Sequence, residues 1–109
     1  MKISEAAFMS QVKAIAYTYG WMAQHSTATQ TAKGRWLTSG SAGYPDLCLA
    51  HPQKGLIFAE LKSETGRVSE SQVGWLMALD PWVECYVWRP RDLPQIQERL
   101  ARNIDRRSG

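Results

Sequence analysis

An aspartate, a glutamate and a lysine interrupt an apolar stretch that reads YPDLCLAHPQKGLIFAELKSE, residues 44–64. The runs DLCLA and LIFAELK are typical of strands, and HPQKG between them contains a proline and a glycine, which favour a tight five-residue connection. With HPQKG as the loop, Ala50 faces Leu56, and counting outward along both arms brings Asp46 opposite Glu60. The sequence therefore predicts two carboxylates as cross-strand neighbours.

Two carboxylates at this spacing are unfavourable unless a cation offsets their charge. Directly opposed side chains have Cβ atoms about 5 Å apart, and like charges at that distance repel by about 3 kcal/mol at an effective dielectric constant of about 20. Strand alternation places Lys62 on the same face as Glu60, but one ammonium does not neutralise two carboxylates. A bound divalent metal would, and carboxylates suit hard cations such as Mg²⁺ or Mn²⁺.

The N-terminal segment SEAAFMSQVKAIAYTYG supplies a third acid. Its apolar spacing predicts a helix with Ser4 as N-cap and Gly20 as the C-terminal stop. Within that helix Glu5 falls in the apolar stripe, so we expect it to point inward. The alternative is that an acid in the first turn interacts favourably with the helix dipole whichever way it faces.

Three acids beside a lysine predict hydrolysis of a phosphate ester. A metal held by the acids would lower the pKa of a bound water and so create a nucleophile. Lys62 would orient that water or stabilise negative charge in the transition state. The alternative is a solvent-facing hairpin whose charges form only salt bridges.

The segments GYPDLCLA and GLIFAELKSETGRVSESQVGWL resemble the PD-(D/E)XK nuclease superfamily, and within it the VRR-NUC family, whose small stand-alone members resemble Holliday junction resolvases. The resemblance implies a restriction-endonuclease-like fold and a structure-selective DNA endonuclease that depends on Mg²⁺ or Mn²⁺. The catalytic residues that it implies are Glu5, Asp46, Glu60, Lys62 and Gln72, and the implied metal ligands are Glu5, Asp46, Glu60 and the carbonyl of Leu61.

Gln72 has two interpretations. It stands three residues after Ser69, the spacing of a capping box, which explains it without chemistry. The resemblance instead places it near the metal-bound water or a phosphate. One amide could serve both purposes, and the sequence leaves both open.

Five residues are candidates for contact with nucleic acid. Lys33, Arg35 and Arg67 would contact phosphates without reading bases, and Trp36 and Tyr44 would stack on bases or wedge a junction. For any one of the cations, ordinary solvated surface is the alternative. Four further aromatic residues are predicted to fill the core or a subunit interface: Trp75, Trp82, Tyr86 and Trp88.

The predicted hairpin needs neighbouring elements to position it. WMAQHS reads as a short strand, and the polar connection after it could hold another around Arg35 to Thr38. SESQVGWLMAL predicts a second helix that begins at Ser69 and ends at Asp80. The apolar residues expected to face inward from this helix are Val73, Leu76, Met77 and Leu79.

The C-terminal part completes the predicted sheet. VECYVW alternates as a strand, and DLPQIQERLARNIDRR predicts a closing helix with Asp92 as N-cap. The apolar stripe of that helix is Leu93, Ile96, Leu100 and Ile104. The order αβββαβα predicts an α/β protein with a mixed sheet flanked by helices, in which the strand, helix and strand between positions 56 and 88 form a parallel crossover.

The composition sets broader limits. A length of 109 residues predicts one domain, residues 1–109, and no run is apolar enough to span a bilayer or act as a secretory signal. We expect a soluble protein of the bacterial cytoplasm, or of a virus in the host cytoplasm. The net charge of +3 mildly favours a polyanionic partner. Cys48, Cys85 and the two histidines show no spacing typical of structural zinc.

The substrate and the assembly follow from the chemistry. One site of this kind cuts one strand, so symmetrical cutting of a four-way junction requires two sites, which a twofold homodimer provides. An endonuclease acting on flaps, nicks or simple duplex is the first alternative. A DNA-binding subunit with a degenerate nuclease fold is the second, although opposed acids would only repel phosphate in such a protein. A purely structural interaction protein is the third.

Overall fold

The structure is a computed structural model, and it describes residues 2–26, 28–30, 36–38 and 42–104. Within these residues no helix is long and apolar enough to cross a membrane. The helices are α1 (Glu5–Thr18), α2 (Glu70–Leu79) and α3 (Leu93–Ala101). The strands are β1 (Met22–His25), β2 (Ala28–Gln30), β3 (Trp36–Thr38), β4 (Leu47–His51), β5 (Gly55–Leu61) and β6 (Glu84–Trp88).

Four of the strands form one mixed sheet in the order β1-β4-β5-β6. β4 runs antiparallel to both β1 and β5, whereas β6 runs parallel to β5, as expected for strands joined through a helix. The predicted α/β class and the order αβββαβα are confirmed for this main sheet. β2 and β3 add a separate antiparallel pair, and β3 lies where the polar connection was expected to hold a short strand.

The hairpin has the predicted register but a shorter loop. Ala50 pairs with Leu56, yet His51 also pairs with Gly55, so three residues connect the strands instead of five. The turn closes early because the Gln53 amide donates to His51 Nδ1 at 3.0 Å.

α1 begins and ends where the sequence predicts. The Ser4 hydroxyl accepts a hydrogen bond from the Ala7 amide at 3.0 Å, and Gly20 follows the helix with a φ of +83°. Trp21 then leads directly into β1, and its indole Nε1 donates to the Leu100 carbonyl at 2.9 Å. This bond ties the start of the sheet to α3.

The core lies between one face of the sheet and the two helices α1 and α3. The buried apolar side chains of the strands and α3 are Leu47, Leu49, Ile57, Ala59, Leu61, Trp88, Ile96 and Leu100. Phe8, Met9, Val12 and Ala16 of α1 pack against them. This face is closely filled, as native cores are.

α2 covers the opposite face, and the prediction that its apolar residues face a core is wrong. The helix has no buried residue, and Val73 and Met77 are 42% and 70% exposed. Its apolar side instead borders a groove of about 450 Å³ beside β6. Trp82, predicted to fill the core or an interface, is 83% exposed.

Both ends of the closing helix differ from the prediction. Asp92 makes no side-chain cap on α3; its Oδ2 accepts the Arg89 amide at 2.9 Å and so closes a 3₁₀ turn, Pro90–Asp92. The helix ends at Ala101, and Ile104 lies beyond it, 39% exposed, with its amide bonded to the hairpin turn. Ile104 is therefore not part of the helical stripe.

Candidate active site

The predicted acid pair lies at one end of the β4–β5 hairpin. Leu47 pairs with Ala59, and one residue further along this register Asp46 stands opposite Glu60. Glu60 is only 2% exposed. Burial, then the negative charge of Asp46, raise the pKa of Glu60 to about 8. The sequence prediction of neighbouring carboxylates is confirmed.

Asp46 is held by both neighbouring strands. Its Oδ2 accepts a hydrogen bond from the Leu61 amide at 3.1 Å, and its carbonyl accepts one from the Ser26 amide at 2.8 Å. The side chain is therefore directed at the end of β5. The predicted role of the Leu61 carbonyl as a metal ligand stays a prediction.

Lys62 lies beside the acid pair, as alternation predicted. Its Nζ is 3.6 Å from Glu60 Oε2, and its side chain is 12% exposed. The Lys62 amide donates to the Trp88 carbonyl at 2.9 Å, which fixes the residue to β6. One cation thus faces two acids, and Glu60 Oε1 is buried without a hydrogen-bond partner within the described part of the chain.

Gln72 completes the predicted capping box and also contacts the acid pair. Its Oε1 accepts the Ser69 amide at 2.8 Å while Ser69 Oγ accepts the Gln72 amide at 3.2 Å, which is a complete capping box. Its Nε2 donates to Glu60 Oε2 at 2.7 Å. Because a backbone N–H can pair only with the amide oxygen, the capping bond directs the NH₂ group to Glu60. A catalytic role for Gln72 stays a prediction.

Glu5 does not point inward, and that prediction is wrong. The whole first turn of α1, from Ser4 to Ala7, is exposed, because the buried part of the helix begins only at Phe8. Among the described residues no three His, Cys, Asp or Glu side chains are grouped closely enough to hold a metal. The structure therefore brings together two acids instead of three, and a role for Glu5 in metal binding stays a prediction.

The candidate nucleic-acid contacts are only partly described. Lys33 and Arg35 lie outside the described residues, and of Trp36 only the backbone in β3 is described. Arg67 is exposed in the loop after β5. Tyr44 is 36% exposed and packs edge-on against two rings, with centroid distances of 6.2 Å to Phe58 and 5.0 Å to Trp75.

A second charged cluster, which the sequence pattern did not predict, lies on the other face of the sheet. Arg99, which reads as one of several arginines of the C-terminal segment, is 7% exposed and donates to both oxygens of Glu84 and to the Lys54 carbonyl. Burial alone would raise the pKa of Glu84, but hydrogen bonds from Arg99 and Tyr86 outweigh it and lower that pKa. The available signal was the inward phase of Glu84 in a strand that alternates with Tyr86 and Trp88.

His25, for which the sequence predicted no role, lies close enough to Asp46 for the charge of that acid to affect its pKa. Burial and the positive charge of Lys13 lower the pKa of His25, and the charge of Asp46 opposes them. His25 pairs with Leu47, so it lies on β1 beside the residue that follows Asp46.

Comparisons with known proteins agree with this geometry. The model of the VRR-NUC domain family matches residues 23–81, a segment that includes both acids, Lys62 and Gln72 but not Glu5. A curated relative, the Fanconi-associated nuclease 1 homolog of Schizosaccharomyces pombe, is 45% identical over 42 residues, which cover 38% of this chain. The aligned segment covers only 6% of that relative's length. No solved structure is a significant match.

Proposed function

This chain belongs to the VRR-NUC family, and on that premise we propose that it is a metal-dependent, structure-selective DNA endonuclease. The observation that supports the proposal most is the convergence of four side chains at one end of the sheet: Asp46, Glu60, Lys62 and Gln72. They surround a buried carboxylate oxygen that has no hydrogen-bond partner among the residues that the structure describes.

The donor atoms fit a hard divalent cation. Among the described residues the acid pair has one lysine for two carboxylates, and Glu60 Oε1 has no hydrogen-bond partner. The pKa of Glu60 is raised to about 8. Asp46 and Glu60, with the Leu61 carbonyl that the family resemblance implies, would hold Mg²⁺ or Mn²⁺ through oxygen ligands. The ion would supply a water of lowered pKa and positive charge for the phosphate.

The protein groups around the acids have separate tasks. The Leu61 amide fixes Asp46 Oδ2, and the Gln72 amide fixes Glu60 Oε2, so neither carboxylate is free to rotate. Lys62 Nζ, 3.6 Å from Glu60, places a positive charge where the attacking water and the phosphate would meet. Glu60 must lose its proton to bind the cation, so we expect the affinity for the cation to increase as the pH rises towards about 8.

The test is cleavage of four-way junction, flap, nicked and linear duplex DNA in Mg²⁺, Mn²⁺ or EDTA. We expect cutting with either cation and none with EDTA. Asp46→Asn and Lys62→Ala should remain folded and lose at least about a hundredfold in rate. Asp80→Asn, which neutralises an exposed acid at the end of α2, is the charge-matched control. Cleavage by Asp46→Asn at the wild-type rate would refute the proposed chemistry.

We also propose that the enzyme is a homodimer that resolves four-way junctions. The exposed apolar side of α2 and the edge of β6 support this, since Met77, Trp82 and the groove between the two elements have no cover within the described residues. Met77→Glu should convert a dimer into a monomer in sedimentation equilibrium, and paired cutting should fall while single nicking remains. A wild-type protein that is monomeric, or that cuts flaps but no junctions, would contradict this part alone.

A further inference from the structure

Gly43 lies against the backbone of α2. Its φ is +85°, and a Cβ atom at this position would lie 2.4 Å from the Ser71 carbonyl carbon, 2.5 Å from the Ser71 oxygen and 2.8 Å from the Gln72 nitrogen. No side chain can be accommodated at such distances, because the opposing atoms are helix backbone. Any other residue must both adopt an unfavourable φ and push the first turn of α2 away.

α2 contributes no fully buried residue to the protein, although Leu76 and Leu79 are half-buried. Two specific contacts lie in its first two turns: Gln72 donates to Glu60, and the Trp75 ring meets Tyr44 edge-on at 5.0 Å. How closely this part of the helix can approach the segment that carries Asp46 is limited at Gly43, where the two backbones meet.

We infer that Gly43 is a positioning residue that acts through Gln72. It allows the first turn of α2 to lie close enough for Gln72 Nε2 to hold Glu60 Oε2 at 2.7 Å. Moving the helix by about 1 Å would break this hydrogen bond, since such bonds need about 3.2 Å or less. The inference rests on the proposed function, because Glu60 needs a fixed orientation only if it takes part in cleavage.

Gly74 provides a matched control within the same helix. A Cβ atom built there meets no atom within 4 Å, and its φ is not in the left-handed region. Gly74→Ala therefore adds the same methyl group to α2 without changing its distance from the sheet.

The structural arm of the test is NMR spectroscopy of the ¹⁵N-labelled protein without metal. The wild type should show a nuclear Overhauser effect between Gly43 Hα and the Gln72 amide proton. It should also show two separate, slowly exchanging side-chain NH₂ signals of Gln72, assigned by their loss in Gln72→Ala. Gly43→Ala should collapse these signals, whereas Gly74→Ala should keep them. Absence of the Overhauser effect in the wild type would overturn the inference, whether or not any variant folds.

Gly43→Asn separates the two properties of the glycine. Asparagine tolerates a positive φ better than alanine but still adds a Cβ atom. If close approach is the essential property, Gly43→Asn should lose the Gln72 signals as Gly43→Ala does. A folded Gly43→Asn variant that keeps these signals would overturn the inference.

The kinetic arm asks whether Gly43 acts through Gln72. Gly43→Ala should lower kcat by about 10- to 100-fold and change KM by less than about twofold. In a Gln72→Ala background the same change should cost less than about twofold more, because the contact it disturbs is already gone. Losses that multiply would overturn the inference. If the wild type cuts no DNA, the proposed function fails, and the NMR arm still decides the placement of Gln72.

Discussion

The two faces of the main sheet differ in how completely their side chains are buried. On the face covered by α1 and α3, Leu47, Leu49 and Ile57 are completely buried. On the face covered by α2, Met22 is 75% and Leu56 42% exposed, and the helix itself buries nothing. The acid pair lies on this second face. Stability thus comes mainly from one side of the sheet.

Each face also carries a glutamate, and the surroundings of the two shift their pKa values in opposite directions. Glu84 receives two hydrogen bonds from Arg99 and one from Tyr86, and its pKa is lowered. Glu60 faces a second acid, Lys62 at 3.6 Å is its one cationic partner in the described part of the chain, and its pKa is raised. The Glu84 carboxylate is paired with a cation, although Arg99 Nη1 has no hydrogen-bond partner among the described residues. Around Glu60 the described residues supply less positive than negative charge, which is the property expected of a cation site.

The largest expected difference between the faces is in packing. Leu49→Ala should lower the free energy of unfolding by about 3 kcal/mol, because it leaves a cavity in a filled core. Met77→Ala, on the exposed side of α2, should change it by less than about 0.5 kcal/mol in the monomer. Urea denaturation measures both. Similar losses for the two variants would show that the second face is packed as firmly as the first.

Replacing each glutamate with glutamine should affect the free energy of unfolding differently at pH 8.5 in EDTA. Glu84→Gln should lower the free energy of unfolding by about 2 kcal/mol, because Arg99 is left buried without its counter-charge. Glu60→Gln should leave that free energy unchanged or raise it, since the neutral amide ends the repulsion with Asp46. Urea denaturation again provides the measurement, and destabilisation by Glu60→Gln would mean that the acid pair is not a source of strain.

The pH dependence should separate the glutamates further. In the folded, metal-free protein Glu60 keeps its proton up to about pH 8, whereas in the unfolded chain it titrates near 4.5. The folded state binds more protons across this window, so the free energy of unfolding should fall as the pH rises from about 5 to about 8 and then level off. His25, whose pKa is lowered, acts in the opposite direction. The difference between wild type and Glu60→Gln isolates Glu60, and parallel pH profiles would contradict its raised pKa.

The smallest expected effect concerns two glycines, Gly43 against the backbone of α2 and Gly74 within that helix. Gly74→Ala should raise the free energy of unfolding by about 0.5–1 kcal/mol through helix propensity, because nothing obstructs the added methyl group. Gly43→Ala should lower it by at least about 1 kcal/mol, because its φ of +85° disfavours alanine. Thermal melts at one pH compare the pair, and equal shifts would argue against the close contact at Gly43.

Local patterns predicted much of the fold and part of the site. The hairpin register, the caps at Ser4 and Ser69, and the placement of Lys62 beside Glu60 all depend on residues less than about twenty positions apart. The shorter hairpin turn and the early end of α3 were not predictable, because single contacts such as that of Gln53 with His51 decide them.

The sequence by itself determined that two acids face each other across a hairpin, because the period of a strand is two and the loop sets the count. Only the tertiary structure decided that Glu5 stays outside, that Arg99 is buried, and that α2 rests on the backbone of Gly43. The physical reason is that these features depend on where segments distant in the chain come to lie. Hydrophobic periodicity predicts which side of a helix or strand is apolar, but not how completely other segments bury that side.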